Sequence, residues 1–289
     1  MKKAISLWGI LERELEREGV QREEAGKAYD YRHNPSSASF KYANGTVIGA
    51  CLRSLYYKAN KIVKSNPSDF TGRLQMGFGD GLHSWVLGKL ANSKEITLRS
   101  EASGRMKIDP LTKEVSYRVD GLVNYDKQNG CLELKFKQGY AVEKRIRDKT
   151  PDEDSTLQTI CYLNTEPVEW VNLCYAARDS ALRAEFQITK QGDVYLQEPV
   201  IPNGDRVLLP ELCFNGIKAR WLELEECLKT FTVPKRDYKV VYNDFGHIVE
   251  LRQKNCVKYK SHWRCMYCDW KDYCWKQEGA KEDSIQIAR

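Results

Sequence analysis

Two carboxylates and an amine occur close together in the segment YRVDGLVNYDKQNGCLELKFK. Asp120 precedes a glycine, and Glu133 and Lys135 are separated by one residue. If VSYRVDGLV and CLELK are neighbouring strands joined by a glycine-containing turn, Asp120 lies close to both. Side chains alternate along a strand, so Glu133 and Lys135 share one face while Leu132 and Leu134 pack on the other.

Such a group is costly to assemble unless the carboxylates bind a hard cation. Mg²⁺ or Mn²⁺ held by one or two carboxylates suits phosphate chemistry. Lys135 then orients the attacking water and stabilises charge that develops on the phosphate. In the simpler interpretation, Asp120 opens a turn, and Glu133 and Lys135 are exposed residues of an amphipathic strand.

Three further side chains have types and spacings that fit the same chemistry. His83 lies upstream, in GFGDGLHSW, and the segment LQTICY places Gln158 and Tyr162 four residues apart on one face of a helix. Each of them alone has an ordinary explanation, since a single histidine is more often packed or exposed than a ligand. The order of the motifs along the chain, G-x3-H, D, E-x-K and Q-x3-Y, is more specific.

The cysteines suggest a second site. CMYCDWKDYC places Cys265, Cys268 and Cys274 in a C-x2-C-x5-C pattern, which is one ligand short of a four-cysteine site. Cys51, Cys256 or His262 could complete it. His262 would give a local zinc site, whereas Cys51 would give an all-cysteine site with a long intervening chain. The remaining cysteines are interpreted as buried small apolar residues, at positions 131, 161, 174, 213, 227 and, where it is not a ligand, 256.

The composition is that of a soluble globular protein without a need for disulfides. The chain has 289 residues, 42% of them apolar, and a net charge of +6. It has no run of about 18 apolar residues that could cross a membrane, and glutamates and arginines soon break the apolar stretch after its N-terminal lysines. These features predict a cytoplasmic protein, whose reduced thiols bind metal or are buried. The charge suits a polyanionic partner, and the chain contains no P-loop or G-x-S-x-G motif.

The periodicity of apolar residues predicts the elements that must hold these side chains. The fold class is α/β (α+β), with a central mixed sheet flanked by helices and a small cysteine-bound segment near the C-terminus. The glycines at 77, 79 and 81 indicate close packing or a bend. Helices are predicted at 5–18, 47–63, 73–92, 154–164 and 210–231, strands at 95–102, 105–109, 115–126, 130–137, 169–178 and 183–190, and irregular structure at 31–45 and 276–289.

The motif order resembles the PD-(D/E)XK nuclease superfamily and, within it, the RecB-like nucleases, from about residue 50 to 275. The resemblance implies a restriction-endonuclease-like core that hydrolyses DNA phosphodiesters. Val119, rather than proline, precedes Asp120, as is common among RecB-like members. The implied metal ligands are His83, Asp120, Glu133 and the carbonyl of Leu134, and the other implied active-site residues are Lys135 as the catalytic lysine and Gln158 and Tyr162 as orienting groups.

A lone cysteine in CLRSLYY followed much later by C-x2-C-x5-C resembles the iron-sulfur subgroup of RecB-like nucleases. This subgroup includes the AddB nuclease domain and the CRISPR-associated exonucleases. The resemblance implies a [4Fe-4S] cluster that closes the nuclease fold, with Arg53, Tyr56 and Tyr57 packed beside it. The implied ligands are Cys51, Cys265, Cys268 and Cys274. It also implies an N-terminal extension at 1–48, a nuclease domain at 49–275 and a flexible tail at 276–289.

The sequence thus predicts a metal-dependent DNA nuclease, most simply an exonuclease of DNA end processing, recombination or viral DNA metabolism. Two alternatives remain, a CRISPR spacer-acquisition nuclease and a catalytically weak DNA-binding or assembly module with structural zinc. A helicase, recombination or integrase partner would be a separate chain. The basic segment KQGYAVEKRIRDK is either a loop that contacts DNA or a solvent-exposed helix, with cations at Lys137, Lys144, Arg145, Arg147 and Lys149.

Overall fold

The computed structural model describes residues 11, 13–21, 30–209, 211–243, 262–277 and 284–287, with only the backbone described at 241–243 and 284–287. Contacts divide the chain into two compact units. The first unit comprises Met1–Tyr31, Arg53–Asp80 and Val233–Arg289, and the second comprises Arg32–Leu52 and Gly81–Thr232. The functional boundaries inferred from sequence, at 48 and 275, stay a prediction.

The described elements alternate between short strands and helices. The helices are α1 (residues 13–21), α2 (Leu52–Ala59), α3 (Phe70–Ala91), α4 (Gly139–Asp148), α5 (Glu153–Thr165), α6 (Phe214–Lys229), α7 (Trp263–Met266) and α8 (Lys271–Lys276). The strands are β1 (Ser39–Lys41), β2 (Val47–Gly49), β3 (Thr97–Ser100), β4 (Ser103–Met106), β5 (Val115–Arg118), β6 (Gly121–Tyr125), β7 (Gln128–Lys137), β8 (Trp170–Ala177), β9 (Arg183–Gln191), β10 (Val194–Ile201), β11 (Val207–Leu209), β12 (Val240–Asn243) and β13 (Ser284–Ile287).

The second unit is built on a seven-stranded mixed sheet, which confirms the predicted fold class. Its strand order is β11-β10-β9-β8-β7-β6-β3. Only β7 and β8 run parallel within it, because α4 and α5 lie between them in the chain and return it to the same end of the sheet. Their parallel pairing places β7 in the interior of the sheet, with β6 antiparallel on its other side.

Helices cover both faces of the sheet around β7. On one face, Leu157 and Ile160 of α5 form a core with Cys131 of β7 and Ile217 of α6. On the other face, Leu87 of α3 packs with residues of β7 in a separate core. Ten residues of α5 are buried, so this helix is the central support of the unit. Polar side chains on α5 therefore face protein rather than solvent.

Helix α5 begins at a capped end. Asp152 accepts a hydrogen bond from the backbone N–H of Ser155 at 2.9 Å, which satisfies a donor that the first helical turn leaves free. Burial acts to raise the pKa of Asp152, but the charge of Lys137 and the hydrogen bonds to the carboxylate outweigh it and lower that pKa. The sequence predicted an Asp or Ser cap at the start of 154–164, and the cap lies two residues earlier.

Several predicted elements were wrong in extent or type. Residues 39–49, assigned to a loop and a helix, contain the antiparallel pair β1 and β2, turned through Gly45 at φ +85. The helix predicted from 210 begins at Phe214 with Cys213 as its cap, and Pro210 lies outside the described residues. Residues 284–287, assigned to a frayed tail, form β13 parallel to β12. Strands β10 and β11 were not predicted.

Helix α3 runs without interruption through Gly77, Gly79 and Gly81. A Cβ placed on any of them would have no described atom within 4 Å. The close packing expected from these glycines is therefore absent among the described residues.

Candidate active site

Strand β7 presents Glu133 and Lys135 on the face covered by α5, as the alternation of side chains predicts. Lys135 Nζ lies 2.6 Å from Glu133 Oε1 and 2.9 Å from Gln158 Oε1 on α5. Leu132 and Leu134 point the other way, into the core formed with α3. Glu133 is only 4% exposed, so the simpler interpretation of an exposed amphipathic strand is wrong for this residue.

Asp120 lies where one strand ends and another begins. Strand β5 pairs with β4 in a separate two-stranded sheet, and β6 pairs with β7 in the main sheet. The pairing of β6 with β7 begins at Gly121↔Leu132, so Asp120 lies just before the end of β6 that is next to Glu133. The backbone N–H of Leu134 donates to Asp120 Oδ2 at 2.7 Å, which directs the Asp120 carboxylate toward β7.

The connection between β6 and β7 differs from the predicted glycine-containing turn. Asp126 and Lys127 form it, with φ values of +47 and +64. Two consecutive positive values are those of a type I′ turn, whose twist matches an antiparallel pair. Gly130 instead lies within β7. Asp120 and Glu133 still lie close together, as predicted, because the two-residue turn pairs β6 with β7 along their length.

Gln158 and Tyr162 extend the polar group into the protein interior. Gln158 Nε2 donates to Tyr162 Oη at 2.6 Å, and Tyr162 Oη donates to the backbone carbonyl of Arg118 at 2.8 Å. Their exposures are 8% and 1%, which excludes the interpretation of an ordinary helix surface. A continuous chain of hydrogen bonds thus joins Lys135 to the strand that precedes Asp120.

His83 approaches the group from α3. Its Nδ1 lies 3.5 Å from Asp120 Oδ1, and its ring contacts Phe136 with centroids 5.1 Å apart. Hydrogen bonding to Asp120 raises the pKa of His83, although burial acts in the opposite direction. The histidine predicted from G-x3-H therefore lies beside the predicted carboxylate.

The carboxyl groups of Asp120 and Glu133 lie close enough for the charge of Asp120 to affect the ionisation of Glu133. Burial raises the pKa of Glu133, the charge of Lys135 opposes this effect, and the charge of Asp120 adds to it. Burial also raises the pKa of Tyr162, with a further contribution from the charge of Glu133. A cation that enters beside Asp120 and Glu133 would relieve their repulsion.

An open pocket of about 490 Å³ is lined by five of the predicted site residues, namely His83, Asp120, Glu133, Gln158 and Tyr162. Lys135 does not line it but contacts Glu133 and Gln158, which do. Sequence reasoning missed part of the pocket wall, and only the position of Arg118 two residues before Asp120 could have indicated it. The polar wall residues that were missed are Asn34, Ser36, Ser103, Ser116 and Arg118.

The donor set at the pocket fits a hard divalent cation. No three His, Cys, Asp or Glu side chains among the described residues are arranged to hold a metal ion by themselves. Mg²⁺ does not require such a group, because it commonly takes one or two carboxylates together with waters and substrate phosphates. Asp120 and Glu133 supply two carboxylates that line the same pocket.

The cysteines of the C-x2-C-x5-C motif lie in the first unit, beside α2. Arg53 is buried there and donates through Nε to the carbonyl of Pro234 at 2.6 Å, and its Nη1 lies 3.8 Å from Cys274 Sγ. The Tyr57 ring is 2% exposed and meets Tyr273 edge-on. Burial, together with the nearby Cys274, raises the pKa of Tyr57.

The other candidate ligands differ in what the structure describes. Cys51 directly precedes α2 and falls in the second unit. His262 caps α7 by accepting from the backbone N–H of Arg264 at 3.3 Å, and its ring stacks on Tyr238 at 4.2 Å. Cys256 lies outside the described residues. Cysteine thiols such as those of Cys265, Cys268 and Cys274 are the ligand type of both iron-sulfur clusters and zinc sites.

The basic segment after β7 is a helix rather than a loop. In α4, Lys144 and Arg147 both contact Asp148, Arg145 donates to the carbonyl of Pro151 at 3.0 Å, and Lys149 donates to that of Asn203 at 3.3 Å. These local partners favour the interpretation of a solvent-exposed charged helix. Of the helices in the described ranges, none has the length and apolar character needed to span a membrane.

The fold is thus a mixed α/β sheet with a pocket lined by the carboxylates of Asp120 and Glu133, where β5 ends and β6 begins. No family model and no curated protein matches the chain. The crystal structure of SSO0001 has 13% identity and a TM-score of 0.49, covering 91% of this chain and 95% of that one. An alkaline exonuclease, LHK-Exo from Laribacter hongkongensis, has 11% identity and a TM-score of 0.36, covering 53% and 68%. LHK-Exo in complex with dAMP has 12% identity and a TM-score of 0.42, covering 63% and 79%.

Proposed function

We propose that the chain is a nuclease that hydrolyses DNA phosphodiesters with Mg²⁺ or Mn²⁺, acting as an exonuclease. One observation supports this most: Asp120 and Glu133 line one pocket, and the Lys135 ammonium contacts both Glu133 and Gln158 of that pocket. The exonuclease mode rests on the sequence resemblance. DNA end processing, recombination or viral DNA metabolism is the proposed setting, and CRISPR spacer acquisition the alternative.

Lys135 is the proposed catalytic cation. Its ammonium has three N–H donors, and Glu133 and Gln158 accept two of them. One donor remains for an attacking water or a phosphate oxygen. Because Gln158 is itself held by Tyr162, the ammonium is fixed before substrate arrives, and preorganised charge of this kind stabilises a transition state most effectively.

In the proposed reaction, a water oxygen bonds to phosphorus while the bond from phosphorus to the leaving sugar oxygen breaks. The attacking water loses one proton and the departing sugar oxygen takes one up, so the products are a phosphate monoester and a sugar hydroxyl group. Asp120, Glu133, the Leu134 carbonyl and His83 would hold the divalent ion, which when bound would stabilise negative charge on the phosphate.

Metal dependence provides the test of this function. End-labelled single- and double-stranded DNA is incubated with wild-type protein in Mg²⁺, in Mn²⁺ and with a chelator. We expect cleavage in the presence of metal, none with chelator, and a loss of at least about 100-fold in Glu133→Gln. Cleavage that is equal with and without chelator would contradict the proposal. Binding of DNA without cleavage under any of these conditions would instead support the assembly-module alternative.

We also propose that Cys51, Cys265, Cys268 and Cys274 hold a [4Fe-4S] cluster that closes the fold. The buried Arg53, whose Nη1 lies 3.8 Å from Cys274 Sγ, supports this, because hydrogen bonds to the ligating sulfurs are a feature of iron-sulfur sites. Purified wild-type protein should absorb visible light and contain iron, and Cys51→Ser should lose both and unfold at a lower temperature. A colourless protein with stoichiometric zinc would contradict the cluster.

A further inference from the structure

A second wall of the pocket carries polar side chains that the proposed chemistry does not use. These are Arg118, Ser103, Ser116 and Asn34. In the part of the chain that the structure describes, no residue accepts a hydrogen bond from the side chains of Arg118, Ser103 or Ser116, and no carboxylate pairs with the Arg118 guanidinium. Donors of this kind at a pocket wall are available to a ligand.

The β4–β5 ribbon brings three of these donors to one face. Ser103 pairs directly with Arg118, and Ser116 lies two residues before Arg118 on β5, so their side chains share a face. The residues on either side of this segment, Val115 and Val119, are fully buried, and Tyr117, between Ser116 and Arg118, lines the pocket as well. The end of the ribbon at Ser103 and Arg118 therefore forms part of the pocket wall, together with Ser116.

Asn34 reaches the same wall through a parallel bridge between His33 and Val115. The backbone N–H of Ser116 donates to the carbonyl of His33 at 2.8 Å. Asn34 Oδ1 accepts from Ser36 Oγ at 2.8 Å, which leaves the Asn34 amide N–H groups as donors.

The two walls have opposite electrostatic character. One side carries the carboxylates of Asp120 and Glu133, which attract a cation and repel a phosphate. The other side carries the Arg118 guanidinium and neutral donors, a combination that binds phosphate. A DNA strand with one phosphate at the carboxylates needs a cationic contact for its neighbouring phosphate.

We propose that Arg118, with Ser103, Ser116 and Asn34, forms a subsite for a non-scissile phosphate of the DNA strand. The inference rests on the proposed function and makes Arg118 a substrate-positioning residue. The hydrogen bond from Tyr162 to the Arg118 carbonyl ties this subsite to the chain of hydrogen bonds that holds Lys135. A phosphate bound at Arg118 thereby sets the distance of the next phosphate from the catalytic group.

The test measures binding separately from cleavage. Short end-labelled single-stranded oligonucleotides are titrated with protein in the presence of chelator, so that no cleavage occurs. A second set of oligonucleotides has one uncharged methylphosphonate linkage each, at a different position in each oligonucleotide. Arg118→Gln is compared with Arg105→Gln, since Arg105 is exposed and pairs with Ser116 on the same ribbon but does not line the pocket. We expect about tenfold weaker binding for Arg118→Gln and a salt slope reduced by about one.

The methylphosphonate series locates the contact. One uncharged linkage should weaken wild-type binding by about tenfold and leave Arg118→Gln unaffected, because each change removes one partner of the same contact. Arg105→Gln should behave like wild type, and Arg118→Lys should recover part of the affinity. Thermal unfolding of the variants checks that each is folded.

Three results would overturn the subsite. The first is that Arg118→Gln binds the oligonucleotide as tightly as wild type, and the second is that Arg118→Gln and Arg105→Gln lose the same affinity. The third is that every methylphosphonate linkage changes the affinity of wild type and of Arg118→Gln by the same factor. Arg118-dependent binding without any cleavage would uphold the subsite while the nuclease proposal fails. If Arg118→Gln cleaves DNA in a metal-dependent way with the KM and kcat of wild type, the nuclease proposal stands and the subsite fails.

Discussion

The carboxylate of Asp120 and the backbone of Leu134 are joined by a hydrogen bond of 2.7 Å from the Leu134 N–H to Asp120 Oδ2. Glu133 and Lys135 directly precede and follow Leu134 in the same strand, and both point to the face covered by α5. The strand therefore fixes the position of Asp120 as directly as it fixes its own side chains. One oxygen of Asp120 is held by β7, and Oδ1 faces His83 at 3.5 Å.

The Asp120→Asn substitution removes the negative charge of the side chain but keeps its size and one acceptor oxygen. The amide oxygen can still accept from Leu134, so we expect the free energy of unfolding to change by less than about 1 kcal/mol. DNA cleavage should fall by at least about 100-fold, since the charge that attracts the metal is lost. Single-turnover cleavage and urea unfolding measure the two effects, with Asp193→Asn in the exposed β9–β10 turn as control. Near wild-type cleavage in Asp120→Asn would contradict the role of Asp120.

Gln158 and Tyr162 should act as one unit. Gln158→Leu and Tyr162→Phe each leave buried polar partners unsatisfied, so each should destabilise the protein by about 1–3 kcal/mol. Because the two side chains contact one another, the double variant should lose less than the sum, with a coupling of about 0.5–3 kcal/mol. Urea unfolding of the four proteins gives this coupling. Strict additivity would show that the hydrogen bond between them contributes nothing.

The buried pair His33 and Glu225 predicts acid sensitivity. Burial lowers the pKa of His33, although its 2.9 Å contact with Glu225 opposes this. Burial acts to raise the pKa of Glu225, but hydrogen bonds from Thr112, Lys113 and His33 lower it overall. The His33 contribution to stability is therefore complete above the unfolded pKa of about 6.5 and falls as the pH drops through it. The Glu225 contribution is present above its unfolded value and is lost only at lower pH, as the pH falls through its folded pKa.

Unfolding by urea at several values between about pH 8 and pH 5.5 tests the histidine contribution. The difference in unfolding free energy between wild type and His33→Gln should shrink as the pH falls. A difference that is constant across this window would contradict the assignment. His83→Gln serves as a comparison, because the pKa of His83 is raised and its contribution changes with pH in the opposite direction.

Two glycines should respond to alanine in opposite ways. A Cβ at Gly130 would lie 2.3 Å from the Trp170 ring, so Gly130→Ala should destabilise the protein by about 1–3 kcal/mol. At Gly77, inside α3, no described atom lies within 4 Å of that position, so Gly77→Ala should stabilise by about 1 kcal/mol. Thermal unfolding distinguishes them. Destabilisation by Gly77→Ala would indicate a close neighbour beyond the described residues.

The local part of the site could be predicted from the sequence. Alternation along one strand placed Glu133 and Lys135 on one face, and helical spacing placed Gln158 beside Tyr162. Arg118, two residues before Asp120, could have indicated the second wall of the pocket, but the contribution of Asn34 could not be predicted. It depends on a bridge between distant segments, His33 and Val115, that no short-range periodicity encodes. The β1–β2 hairpin was missed for a related reason, since its strands are three residues long, too short for an alternating pattern.

The central claim is that Lys135 provides the catalytic cation for metal-dependent cleavage of DNA. Single-turnover cleavage of end-labelled DNA in Mn²⁺ by wild type, Lys135→Ala and Lys190→Ala tests it most directly. Lys190 is a matched control: its amine donates to Asn164 of α5 at 2.7 Å, as that of Lys135 donates to Gln158 of α5, but Asn164 does not line the pocket. The rate for Lys135→Ala should fall by at least about 100-fold while Lys190→Ala stays near wild type. Equal rates for wild type and Lys135→Ala would contradict the claim.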